Sequence, residues 1–270
     1  MLFRSHAVHN IDYEGRFVYQ VGQHLDAMYV VHRMQNGREL ERLVALNGDP
    51  KQVIRGARAV ACLDPQRRKI SVIGSGSRLA NIPIRDATEL ASLYEFDLGE
   101  KVRVAGRTAH ELIISPIDDL RFGYRVVLDE QTRLPLRSVM LNSEGEILSQ
   151  TLFVELKTGR HITPIEHDLS ALQLTENAEV MDSPVESAAG SEDDTQWRIG
   201  DLPKGFTLAK VLSPKAGIKH YLFTDRLTSV SLYLEPAGAQ VFEGFSRISE
   251  TGVFGTKRYG SQLKIGRAHV

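Results

Sequence analysis

From Arg16 to Ile73 the chain runs in short stretches of β-branched and aromatic residues, several alternating apolar with polar, separated by turn residues. Arg16–Gln20 ends near Gly22. Leu25–Arg33 leads to Asn36-Gly37, a strong hairpin signal because both residues tolerate positive φ. Glu39–Leu46 leads to Asn47-Gly48-Asp49-Pro50, Lys51–Arg55 to Gly56, and Ala59–Leu63 to Asp64-Pro65, after which Lys69–Ile73 follows. Turn signals at roughly 8–12-residue spacing predict an antiparallel meander. The two-faced runs predict a sheet with one solvated side.

The period then changes. Asp86-Ala87-Thr88-Glu89 sets a capping aspartate three residues ahead of a glutamate, and Leu90, Leu93 and Tyr94 follow at helical spacing. Strands resume at Lys101–Val104, Ala109–Ser115, Tyr124–Leu128, Pro135–Leu141 and Ile147–Lys157. Thr163-Pro164-Ile165-Glu166 predicts a second helix start, with a threonine cap, proline first and glutamate third. Residues 177–195 are acidic, small and without period, as a flexible linker would be. Beyond them, Thr207–Leu212, His220–Phe223 and Val230–Leu234 predict strands of a second, smaller domain. The expected class is α+β, mainly antiparallel β. The expected division is an N-terminal domain over 6–176, a linker over 177–195 and a C-terminal domain over 196–263.

Composition adds bounds. A 42% hydrophobic and 25% charged content is that of an ordinary globular protein. No apolar run approaches the roughly 18–20 residues of a membrane span. Lys264-Ile265-Gly266-Arg267-Ala268-His269-Val270 can be encoded by a string that is, from its second base, a standard sequencing adapter. Met1-Leu2-Phe3-Arg4-Ser5 can be encoded by the same adapter on the opposite strand. The natural sequence is therefore expected to run from about His6 to Leu263, within a longer protein whose C-terminal domain continues further. Those end residues carry three of the 33 positive charges and none of the 34 negative, so the net charge of −1 becomes −4 without them. An evenly mixed, mildly acidic surface argues against nucleic-acid binding. Cys62, the single cysteine, sits in an apolar strand-like run and reads as a small hydrophobe, with a catalytic or bridging thiol as the alternative.

Catalytic motifs are missing. The nine histidines form no pair at zinc spacing. Gly74-Ser75-Gly76-Ser77 lacks the third glycine and the lysine of a phosphate loop, and it is not a nucleophile elbow. Asp118-Asp119 and Asp193-Asp194 read as solvated loop carboxylates and not as an acid–base pair. No cofactor and no metal are expected.

Several segments together resemble the MucB/RseB family. They are Tyr13–Gln20, Met28–Arg33, Glu41–Gly48, Val53–Arg55, Gly123–Asp129 with Thr132–Arg137, and Asp201–Phe206. The order is collinear over nearly all of 6–263. The resemblance implies a periplasmic regulator of an envelope-stress anti-sigma factor. It also implies an N-terminal domain like the lipoprotein carriers, an unclosed barrel with helices plugging an apolar concavity. The C-terminal domain would dock the anti-sigma factor's periplasmic segment and shield it from proteolysis, with lipid or lipopolysaccharide-like ligands releasing it. Tyr13, Phe17, Tyr19, Met28 and Val30 are candidates for the apolar concavity, or for plain core. Trp197 and Phe206 are candidates for the partner surface, or again for core. His32 and Arg33 sit at a strand end and are expected at a polar rim or in hairpin contacts. A lipid or lipoprotein carrier is the alternative function, and an envelope hydrolase using Ser75 or Ser77 a third. Homo-oligomer formation stays open.

Overall fold

The computed structural model describes residues 10–35, 37–56, 59–64, 69–74, 90–165, 178–181, 185–187, 202–215, 217–236, 244–249, 252–259 and 262–269. In the strands at 59–64, 69–74, 178–181, 185–187 and beyond 236 it describes the backbone, with Cys62, half-buried, the one side chain added. Both expected helices fall largely outside these residues, as do Ser75, Ser77 and Trp197.

Two meanders build the larger sheet. The first is β1 (Tyr13–Val21), β2 (His24–Gln35), β3 (Arg38–Ala45), β4 (Gln52–Arg55), β5 (Ala59–Asp64) and β6 (Lys69–Gly74). The second is β7 (Tyr94–Val104), β8 (Arg107–Pro116), β9 (Gly123–Asp129), β10 (Pro135–Leu141) and β11 (Ile147–Thr158). They join where β1 pairs antiparallel with β11, Tyr13 opposite Thr158 and Val21 opposite Ser149. β12 (Ala178–Met181) adds a parallel strand beside β6. The 12 strands follow one another as β12-β6-β5-β4-β3-β2-β1-β11-β10-β9-β8-β7, an open, mainly antiparallel sheet. Tight turns set its registers. Gln35 opposes Arg38 around Gly37, whose φ is 71°, and Ala105 and Gly106 (φ 50° and 77°) form a two-residue turn whose twist suits the β7–β8 hairpin.

The smaller sheet is antiparallel throughout. Its members are β13 (Val185–Ser187), β14 (Thr207–Lys215), β15 (Ile218–Thr224), β16 (Ser229–Pro236), β17 (Gly244–Ser249), β18 (Gly252–Tyr259) and β19 (Gln262–His269), in the order β13-β14-β15-β16-β19-β18-β17. Thus the stretch 177–195 contributes two short strands. Main-chain pairing needs no apolar period, which is why composition gives no sign of them.

Chain compactness defines two units. One comprises 1–78, 96–115 and 122–183; the other comprises 79–95, 116–121 and 184–270. The second unit therefore contains two segments that precede the linker. Tyr94, expected to continue a helix, instead opens β7; among the described residues before it, Leu90 and Ala91 are helical. Leu90, Leu93 and Tyr94 are all buried, and the Leu93 amide donates to the Leu90 carbonyl in the turn that leads into β7.

Candidate functional site

In the first unit, β1 centres the apolar interior. Its residues 13, 15, 17 and 19 share a face. Register sets Phe17 opposite Met28 and Phe153, and Gly15 opposite Val30 and Leu156. Tyr13, Phe17 and Val30 are buried in one cluster with Ala109, Val127, Leu134, Leu136, Phe153 and Leu156, and Tyr19 and Met28 pack half-buried against it. The Phe17 and Phe153 rings lie 5.4 Å apart, tilted by 48°. Gly15 makes room for this: a Cβ there would meet the Glu155 carbonyl oxygen at 2.4 Å and the Phe153 ring at 3.0 Å. All five residues nominated for a concavity are thus brought together, as packed core. An acyl chain would enter by separating them, replacing contacts that already bury each side chain at about 1.5–3 kcal/mol.

His32 departs from the expected rim. It is fully buried, stacked on Tyr13 at 4.9 Å, with Nδ1 2.9 Å from the Ile11 carbonyl oxygen and Nε2 3.3 Å from Glu39. An oxygen acceptor facing each ring nitrogen accommodates this polar residue at an inward position of β2.

The other face of β1 carries a carboxylate lock. Glu14 accepts hydrogen bonds from the Thr163 amide (2.9 Å), the Tyr29 hydroxyl (3.1 Å) and Lys157 (3.5 Å). Hydrogen bonding by Thr163 leads the effects that hold its pKa near about 2; burial opposes it, and Tyr29 and Lys157 assist. Because the folded pKa is depressed, the stability is present above the unfolded value near 4.5 and lost as pH falls toward 2. Glu14→Gln is expected to cost up to roughly 3 kcal/mol at neutral pH, with the gap to wild type closing in acid. Urea unfolding of both proteins across that range checks it; a gap independent of pH would exclude the lock.

In the second unit the conspicuous feature is a buried ion pair, Arg121 Nε to Asp225 Oδ2 at 2.7 Å, both side chains fully enclosed. The Tyr94 hydroxyl donates to the same oxygen at 2.8 Å, and the amides of Leu227 and Thr228 donate to the other at 2.9 and 2.7 Å. Arg121 also donates to Asp118 and to the Lys204 carbonyl oxygen, and stands 5.1 Å from the Phe206 ring centre. Burial works against the Arg121 charge, and the two aspartates more than offset this, raising its pKa. Asp118, expected to be solvated, is tied to Arg121. Phe206, nominated for the partner, is buried with Phe223 and Leu232. The loop before it needs glycine: Gly205 has φ 83°, and a Cβ there would lie 2.3 Å from Leu93. Sequence reading missed Tyr94, Arg121 and Asp225. The one local clue was the aspartate opening the tight Asp225–Thr228 turn.

Among the described residues no group of His, Cys, Asp and Glu could hold a metal ion, and no helix is long and apolar enough to cross a membrane.

An open antiparallel sheet with an apolar interior and a separate small antiparallel sheet define a two-unit β protein. Residues 4–178 match the MucB/RseB N-terminal domain and residues 191–265 the MucB/RseB C-terminal domain, so the chain belongs to the MucB/RseB family. It is 32% identical over 253 residues to the sigma factor AlgU regulatory protein MucB of Pseudomonas aeruginosa, covering 89% of this chain and 75% of that one. It is 28% identical over 241 residues to the sigma-E factor regulatory protein RseB of Haemophilus influenzae, covering 87% and 74%. Among solved structures, the Pseudomonas aeruginosa MucA/MucB complex superposes with a TM-score of 0.69 at 29% identity, over 97% of this chain and 89% of that one. A crystal structure of MucB gives 0.64 at 27% identity, over 98% and 89%. Relatives thus carry the names of regulators, the role the sequence segments imply.

Proposed function

We propose that this chain is a non-catalytic periplasmic regulator that binds the periplasmic segment of an anti-sigma factor and protects it from regulated proteolysis. The observation that carries this reading is the similarity, over 89% of this chain and 75% of its relative, to MucB, a named sigma-factor regulator that has been solved in complex with MucA. The second unit is the proposed docking body, with Trp197 near the partner and Phe206 acting from beneath by fixing the 202–205 loop. The interior around Tyr13, Phe17, Tyr19, Met28 and Val30 is proposed to admit an acyl chain of a lipid or lipopolysaccharide-like ligand. That step separates a regulator from a simple lipoprotein carrier, which would load lipid without holding a protein partner.

The test uses this chain and the periplasmic segment of an anti-sigma factor of the MucA kind. Calorimetry is expected to show binding. At a free regulator concentration ten times Kd, cleavage of the segment by its initiating protease is expected to slow about tenfold. No binding would sink the proposal. Binding without protection would remove its second half.

A further inference from the structure

The sheet face that carries the apolar interior changes character one step beyond it. Residues directly opposite each other on antiparallel strands share a face. Phe17 stands opposite Phe153, and further along β1 Tyr19 stands opposite Thr151 and Val21 opposite Ser149. On the other side of β11, Thr151 faces Ser138, and Ser149 faces Met140, which in turn faces Tyr124 on β9. The face of Phe17 and Tyr19 therefore runs on into three hydroxyls, Ser138, Ser149 and Thr151, and all three are buried. With Tyr124 and Met140 they line a cavity of about 10 Å³.

Chemistry and size restrict what this cavity takes. The Ser138 hydroxyl is enclosed and has no hydrogen-bond partner. Burying a hydroxyl unpaired is unfavourable, so the position favours whatever supplies an acceptor for it. The volume suits a single oxygen-sized group and excludes a headgroup. No residue lining the cavity is charged, so a carboxylate or phosphate would lie there without a counter-charge. A neutral carbonyl oxygen meets all three conditions, since it accepts from a hydroxyl and brings no charge.

We propose that Ser138, supported by Ser149 and Thr151, is a subsite for the ester carbonyl oxygen of an acyl ligand. The Ser138 hydroxyl donates to that oxygen, and the chain runs along the same face toward Tyr19 and Phe17. This rests on the acyl-binding reading given above and deepens it, naming the ligand class as a neutral acyl ester.

Calorimetry of the whole chain below the micelle threshold tests it with two probes, decanoylglycerol and its ether analogue decylglycerol. The pair share chain length and headgroup, and the ether lacks the carbonyl. The ester is expected to bind roughly fivefold more tightly than the ether. Ser138→Ala is expected to bring the ester down to the affinity of the ether and to leave the ether unchanged. Because both probes are measured on the same variant, lost carbonyl recognition is separated from any damage to the fold. Decanoate, whose charge would lie unpaired in the cavity, is expected to bind more weakly than the ester. Equal binding of ester and ether by the native chain would overturn the subsite and leave the acyl reading standing. A preference for the ester that survives Ser138→Ala would also overturn it, leaving the cavity to water alone, as would decanoate binding more tightly than the ester. Binding of no probe would overturn the acyl reading itself, and the subsite with it.

Discussion

An Asp225→Ala variant is expected to lose about 3 kcal/mol of stability in the second unit, because it takes the buried carboxylate from a fully buried guanidinium and leaves it Asp118, which is partly exposed to water. The loss is more than one hydrogen bond. Asp225 also satisfies the Tyr94 hydroxyl and the two turn amides of Leu227 and Thr228. Tyr94→Phe removes a single member of this set and is expected to cost only about 1 kcal/mol. The paired change Arg121→Met with Asp225→Leu is expected to cost less than Asp225→Ala alone, since it removes both charges together. Hydrogen exchange at β15 and β16 reads these differences where they arise. Equal protection in Asp225→Ala and Tyr94→Phe would show that water reaches Arg121 and that the ion pair is not the keystone.

This dependence also bears on where the second unit begins. The sequence places a composition break at 177–195, and the C-terminal family domain starts at residue 191. The partners of Asp225 lie at Tyr94 and Arg121, 131 and 104 residues away along the chain. No period or motif connects residues so far apart, so the node was not legible. What was legible is local. Turn residues and alternation place β10 at Pro135–Leu141, as observed, and β11 within one residue. They do not reveal that β1 pairs with β11, because the pattern says which face of a strand is apolar and nothing about its neighbour. The candidate interior was legible for the same local reason: positions 13, 17 and 19 on β1, and 28 and 30 on β2, alternate toward one side. His32 continues that alternation, and its place near a strand end suggested a rim or a hairpin contact; the Ile11 carbonyl and Glu39, which face its ring nitrogens, come from other segments.

Asp129→Ala is expected to be the comparable lesion in the first unit, at about 3 kcal/mol, the lower end of the range for breaking a buried pair. Asp129 is buried and receives Arg107 through two bonds of 2.9 Å each, one to each carboxylate oxygen, while Arg107 keeps partial access to water, which moderates the cost. The same carboxylate accepts the Thr132 amide at 2.9 Å and its hydroxyl at 2.6 Å. These bonds hold the β9–β10 turn, where Arg133 takes φ 61° and the Asp129 amide donates to the Leu134 carbonyl. Leu134 and Leu136 leave that turn directly into the buried cluster. Loosening the turn therefore loosens the interior proposed to receive lipid. Burial alone would raise the Asp129 pKa; the Arg107 and Thr132 hydrogen bonds outweigh it and hold the pKa below the usual carboxylate value. Its contribution is then present above the unfolded pKa and lost as pH falls, so the gap between wild type and Asp129→Ala should narrow in acid. Thr132→Val separates the two roles. It removes the hydroxyl bond and leaves the ion pair, so a cost near that of Asp129→Ala would assign the stability to the turn, and a cost of about 1 kcal/mol would assign it to Arg107.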